Sequence, residues 1–158
     1  MAKVRGYNEE LYLDALTGAY NRRYYEDRIR KVKSHAGVAM IDLDDFKLYN
    51  DTCGHNAGDM VLNTVVGIVR KCIRKTDILI RYGGDEFLLI LDDPAPGEIN
   101  RIIQQVKTEL SSGTGTTDLR ILAAVGSAEG CGADIRSLVK KADAAMYSDK
   151  AKSKEGRS

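Results

Sequence analysis

Cysteine is scarce. Cys53, Cys72 and Cys131 are the only three among 158 residues. An odd number without metal-ligand spacing argues against a disulfide framework and points to a reducing compartment, the cytoplasm, with the three thiols expected in the core. Net charge is nearly absent too: 24 Lys and Arg stand against 23 Asp and Glu, leaving +1. That balance gives no general attraction to nucleic acid or to a membrane surface. No apolar run approaches the length that crosses a bilayer, and no signal peptide opens at Met1. There are two histidines, and His35 has no evident partner, so no Ser/His or Cys/His nucleophile stands out. Proline occurs only at Pro94 and Pro96, in one loop, and no internal repeat is visible.

What remains is an ordinary globular composition, 43% apolar and 30% charged, with length for one domain. Residues 1–13 read as a polar lead-in that continues an upstream helix, 14–150 as the domain, and 151–158 as a solvated basic tail. Asn21 can cap a helix running to about Lys33, with Tyr25, Ile29 and Val32 on one face. Gly37 to Leu43 reads as a buried strand, followed by helices over Asp44–Asn50 and Asp59–Arg74. Strands over Asp77–Tyr82 and Glu86–Leu91 form a hairpin. A helix over Glu98–Leu110, a linker at 111–115, a strand over Leu119–Val125 and a helix over Ile135–Lys150 complete the order. This pattern predicts an α/β (α+β) sandwich, a mixed central sheet flanked by helices.

The hairpin turns at Arg81-Tyr82-Gly83-Gly84-Asp85-Glu86-Phe87, with two adjacent carboxylates on the corner. Glycine takes positive φ without steric cost and lets a ligand approach the backbone, so a Gly-Gly pair suits both a turn and a site. Alone, such a corner is a solvated turn. Asp42-Leu43-Asp44-Asp45 supplies the partners. Three acids at a strand end repel one another, and hard oxygen ligands of this kind suit Mg²⁺. Asp45 is explained as the start of the next helix, whereas Asp42 still lies inside the apolar run. Asp42 with Asp85 and Glu86 would make a two-metal site for phosphoryl transfer.

Four motifs carry a family resemblance, in one order and over nearly the whole chain. They are Asp14-Ala15-Leu16-Thr17-Gly18-Ala19-Tyr20-Asn21-Arg22-Arg23, Asp42-Leu43-Asp44-Asp45-Phe46-Lys47-Leu48-Tyr49-Asn50-Asp51, Gly54-His55-Asn56-Ala57-Gly58-Asp59 and Gly83-Gly84-Asp85-Glu86-Phe87. The chain closely resembles the GGDEF family of diguanylate cyclases, whose fold is similar to class III nucleotidyl cyclases and polymerase palms. The resemblance implies condensation of two GTP into cyclic di-GMP with release of two pyrophosphates, across a homodimer in which each copy holds one GTP. It implies two Mg²⁺ (or Mn²⁺) ions per site, held by Asp42, the Leu43 carbonyl, Asp85 and Glu86, with Asp85 promoting 3′-hydroxyl deprotonation. Asn50 and Asp59 would read the guanine edge, although capping of a helix also accounts for Asp59. Phe46, Lys47 and Lys150 would meet the phosphates. Asp14, Arg22, Arg23 and His55 take structural parts.

Arg74-Lys75-Thr76-Asp77 matches the family's inhibitory product site, nine residues ahead of Gly83. There Arg would grip a guanine edge or phosphate and Asp would accept from the guanine amine. The chain departs from the family near its end: Lys154 or Arg157 must supply a second phosphate contact, Asp149 replaces a small residue and slightly weakens anion binding, and Cys53 stands where an aromatic is frequent. A catalytically silent nucleotide-binding module is the chief rival, and a polymerase-like enzyme is disfavoured by the near-zero charge. Control by a fused or recruited regulatory domain is expected, with no such segment among these residues.

Overall fold

The computed structural model describes residues 9–113 and 120–156, with side chains for 10–113 and 120–152. Its centre is an eight-residue strand, β2 (Ala36–Leu43), buried along its whole length. β2 pairs antiparallel with β4 (Glu86–Asp92) on one side and with β5 (Ala123–Gly130) on the other. β3 (Ile78–Arg81) pairs antiparallel with β4, and the two-residue β1 (Tyr20–Asn21) pairs parallel with β3. The sheet order is β1-β3-β4-β2-β5, which makes β5 an edge strand.

Alternation along the strands splits the core into two faces. Ala39, Ile41, Leu43, Leu79, Phe87, Leu89 and Leu91 pack under α4 (His55–Cys72) and α5 (Glu98–Ser112). Val38, Met40, Ile78, Ile80, Leu88 and Ile90 pack under α6 (Ile135–Gly156) and the first helical segments. Within α4, Val61, Leu62, Val65, Val66, Ile68 and Val69 give the buried stripe its helical period. Truncating a fully buried residue such as Leu89 to alanine costs about 2–5 kcal/mol.

Several boundaries differ from expectation, each for a local reason. Asn21 does cap a helix, accepting from the Tyr24 amide at 3.0 Å, but α2 (Arg22–Tyr24) passes at once into a π-helical turn, Tyr25–Ile29, that ends short of Lys33. The lead-in contributes one helical turn, α1 (Glu9–Tyr12). α3 (Phe46–Cys53) starts after Asp45, whose φ of 54° is left-handed, so neither Asp44 nor Asp45 lies within the helix. α4 begins four residues before Asp59. Of the expected strand Leu119–Val125, Leu119 lies outside the described residues; the strand observed starts at Ala123 and runs on to Gly130, with Gly126 and Gly130 packed against α6. α6 itself continues through 151–156, where a frayed tail was expected. Neither Gly83 nor Gly84 takes positive φ. Gly83 serves by leaving room for the Glu86 carboxylate, which an added Cβ would meet at 2.7 Å.

Candidate functional site

The corner is fixed to the end of β2 by backbone bonds. Tyr82 and Gly83 donate to the Glu86 carbonyl at 2.8 and 3.2 Å, closing the turn, and the Leu43 amide donates to the Asp85 carbonyl at 3.1 Å. Arg81, which sequence reasoning passed over, donates to the Gly84 carbonyl at 2.9 Å and pairs with Asp14 at 3.2 Å. The signal was present: a basic residue beside the corner and an Asp14 with no assigned partner. Arg22 stacks over the Tyr82 ring at 4.0 Å, so the first motif does brace the hairpin.

β2–β4 register sets Asp42 directly opposite Glu86, which places both side chains on one face. Asp42 is 8% exposed and accepts from Lys150 Nζ at 2.9 Å. Burial first, and then the Asp42 charge, pushes the Asp85 carboxyl above the usual range. Glu86 is raised in the same way, by burial, then Asp42, Asp85 and Asp143. Lys150 is raised by its hydrogen bond to Asp42, with the charges of Asp42, Asp85 and Asp44 behind it. Several carboxylates thus share one nearby lysine.

That donor set suits a hard cation, although not an all-protein cage: among the described residues no three His, Cys, Asp or Glu side chains close around one point. Mg²⁺ is commonly held by one or two carboxylates and completed by water and substrate phosphates, so an open set fits it.

Asn50 is held against α4 at the α3–α4 junction. Gly58 has no room for a side chain, because a Cβ there would run into the Asn50 amide and the Phe46 ring. Asn50 therefore lies against α4 one residue before Asp59. Its amide nitrogen lies 3.0 Å from His55 Nδ1, giving His55 the structural part expected of it. Asp59 lies in the second turn of α4, whose N-cap is Gly54, so capping does not account for it. Lys47 is exposed on α3. Leu43, Asp44, Phe46, Arg120 and Leu122 line a cavity of about 150 Å³ beside the site. Lys154 and Arg157, the alternatives for a second phosphate contact, lie outside the described side chains.

Arg74 and Asp77 pair with each other at the turn before β3. The Asp77 side chain has no exposure, accepts from the Arg74 amide at 2.8 Å and the Asp92 amide at 3.1 Å, and pairs with the Arg74 guanidinium at 3.1 Å. In this arrangement its oxygens brace a turn. The Arg74 side chain is 48% exposed. His35, expected to be unpartnered, lies 2.8 Å from Asp93 and 3.4 Å from Glu129. All three cysteines are free, and Cys53 and Cys131 are exposed, not in the core. No helix among the described residues is long and apolar enough to cross a membrane.

The family described as "Diguanylate cyclase, GGDEF domain" matches residues 11–156. The chain is 34% identical to the diguanylate cyclase DosC of Escherichia coli K12 over 151 residues, covering 87% of this chain and 33% of DosC. It is 32% identical to the response regulator PleD of Caulobacter vibrioides over 152 residues, covering 87% of this chain and 34% of PleD. It thus spans about a third of the length of these curated relatives. Among solved structures, the coiled coil and GGDEF domain of Caulobacter crescentus DgcB, in complex with c-di-GMP, superposes with TM-score 0.81 at 27% identity, covering 91% of this chain and 83% of that one.

Proposed function

The chain belongs to the GGDEF family of diguanylate cyclases, and on that premise we propose that it condenses two GTP into cyclic di-GMP, releasing two pyrophosphates. The observation that carries this reading is the β2–β4 register, which sets Asp42, bonded to Lys150, opposite Glu86 and next to the corner that carries Asp85. A binding module has no need of carboxylates held at such cost.

Asn50 and Asp59 bind the guanine edge, where a carboxylate accepting from the N1–H and exocyclic amine selects guanine over adenine. Lys47 and Lys150 hold triphosphate oxygens, and Phe46 packs beside them. Asp42, the Leu43 carbonyl, Asp85 and Glu86 would hold divalent cations, which supply charge neutralisation for the triphosphate and acidify the attacking hydroxyl. Asp85, whose raised basicity favours taking a proton, receives the one released from the 3′-hydroxyl. Each site holds one GTP, so the second arrives on a second copy, and proximity supplies the orientation. Feedback by cyclic di-GMP acts at Arg74 through its exposed guanidinium, with Asp77 anchoring it.

Incubation with GTP and Mg²⁺ followed by chromatography tests the reading. Cyclic di-GMP is expected from the wild type and not from Asp85→Asn, with specific activity rising with protein concentration. GTP binding without product would identify a binding module instead.

A further inference from the structure

α6 crosses β5 in successive contacts that end at the site. Leu138 packs against Gly130, the α6 backbone around Ala142–Met146 packs against Gly126, and the Asp149 carboxylate reaches Val125. Residue 124, one position further along β5, is the register partner of Asp42, to which Lys150 bonds. Asp149 Oδ2 accepts the Val125 amide at 2.9 Å and the ammonium of Lys107, on α5, at 3.3 Å. Val125 is on the edge strand, so its amide has no further strand to bond. Asp149 takes that place, and Lys107 offsets its charge.

We propose that Asp149 is a positioning residue for Lys150: by clamping the last turns of α6 to the open edge of β5, it aims the Lys150 ammonium at Asp42 and the triphosphate. The inference rests on the cyclase reading for what Lys150 binds, but not for the clamp itself. Gly126 lets the helix axis come close without fixing its rotation. Consecutive helical residues lie 100° apart around the axis, so the bond at Asp149 sets the direction of Lys150. A charged acceptor gives a stronger bond than a neutral one, and Lys107 links α5 to the same point.

Asp149→Ala is expected to raise KM for GTP about tenfold, the loss expected for one charged hydrogen bond, with a smaller change in kcat. Asp149→Asn keeps an oxygen for the Val125 amide but loses the charge, so KM rises less than in Asp149→Ala. Lys107→Ala gives an intermediate rise. Asp149→Ala should lower the melting temperature equally in the wild-type and Lys150→Ala backgrounds, but leave KM unchanged in the second. A general loss of stability would instead raise KM in both backgrounds, and that result, or an unchanged KM in Asp149→Ala, overturns the proposal. Amide exchange at Val125 and residues 147–152 separates this test from that of the cyclase reading. If the wild type makes no product, faster exchange there in Asp149→Ala upholds the clamp, and unchanged exchange ends it.

Discussion

The two ends of β3 hold carboxylates under opposite conditions. Asp77, just before the strand, is fully enclosed and receives two backbone amides and a guanidinium. Asp85 and Glu86, just after it, are partly enclosed, and their neighbours include Asp42 and each other. Asp14 separates partnership from location. It lies beside the corner, and burial alone would raise its carboxyl, yet the Thr17 hydroxyl and amide and Arg81 hold it below the usual range. The fold supplies donors where a carboxylate braces structure. At the corner burial and neighbouring carboxylates outweigh the donors and cations present, leaving charge for a further cation to neutralise.

The largest expected effect breaks the corner. Asp85→Asn should lower product formation at least about a thousandfold, the scale of losing a metal-ligating and proton-accepting group. The same variant should melt higher at pH 7. A carboxyl raised in the folded state binds its proton more tightly there than in the unfolded chain, so this stabilisation is full below the ordinary carboxylate range and is lost as pH rises through the raised value. At pH 7 the folded form carries a charge its surroundings disfavour, and asparagine removes it. Calorimetry at pH 7 and near pH 3.5 should show the advantage at the first and not at the second. A lower melting temperature at pH 7 would mean that the backbone bond, Lys150 and Arg81 outweigh burial and Asp42 at Asp85.

At the other end the sign reverses. Asp77→Ala should cost about 2–4 kcal/mol in urea unfolding, because the Arg74 and Asp92 amides lose their acceptor. Arg74→Ala should cost less, since water reaches its half-exposed guanidinium. Its clearer readout is product inhibition: cyclic di-GMP should accumulate severalfold further before turnover stops. Unchanged inhibition would leave Arg74 as a brace alone.

Much of the corner was legible because its chemistry is local in the chain. Gly83-Gly84-Asp85-Glu86 and Asp42 announce themselves by acids placed against apolar strands, and the register then sets Asp42 opposite Glu86. The edge strand was not legible. Gly126 and Gly130 belong to β5 because a helix presses on them, and periodicity cannot register the absence of a side chain. The Asp149 carboxylate read as a mild hindrance to anions, while its partners lie 24 and 42 residues away. The bracing part of Asp77 was not legible either, since the Asp92 amide that it accepts belongs to a strand end fifteen residues on. Contacts between distant segments decide such residues, and spacing within one segment does not reveal them.

The smallest effect tests whether the partnering at the far end extends beyond Asp77. His35 lies between Asp93 and Glu129, and its hydrogen bonds to Asp93 first and Glu129 second raise it above the ordinary 6.5. The imidazolium is therefore favoured in the folded chain. Its stabilisation is full below pH 6.5 and is lost as pH rises through the higher folded value. His35→Gln should thus melt below the wild type at pH 5.5, and the two should converge by pH 9. The ring is solvent-accessible, so the difference should be small and shrink in high salt. Glu129→Gln should reproduce only part of it, because the 3.4 Å contact is longer than the 2.8 Å contact to Asp93. A difference that persists unchanged at pH 9 would assign His35 to packing, and the partnering rule would then stop at Asp77.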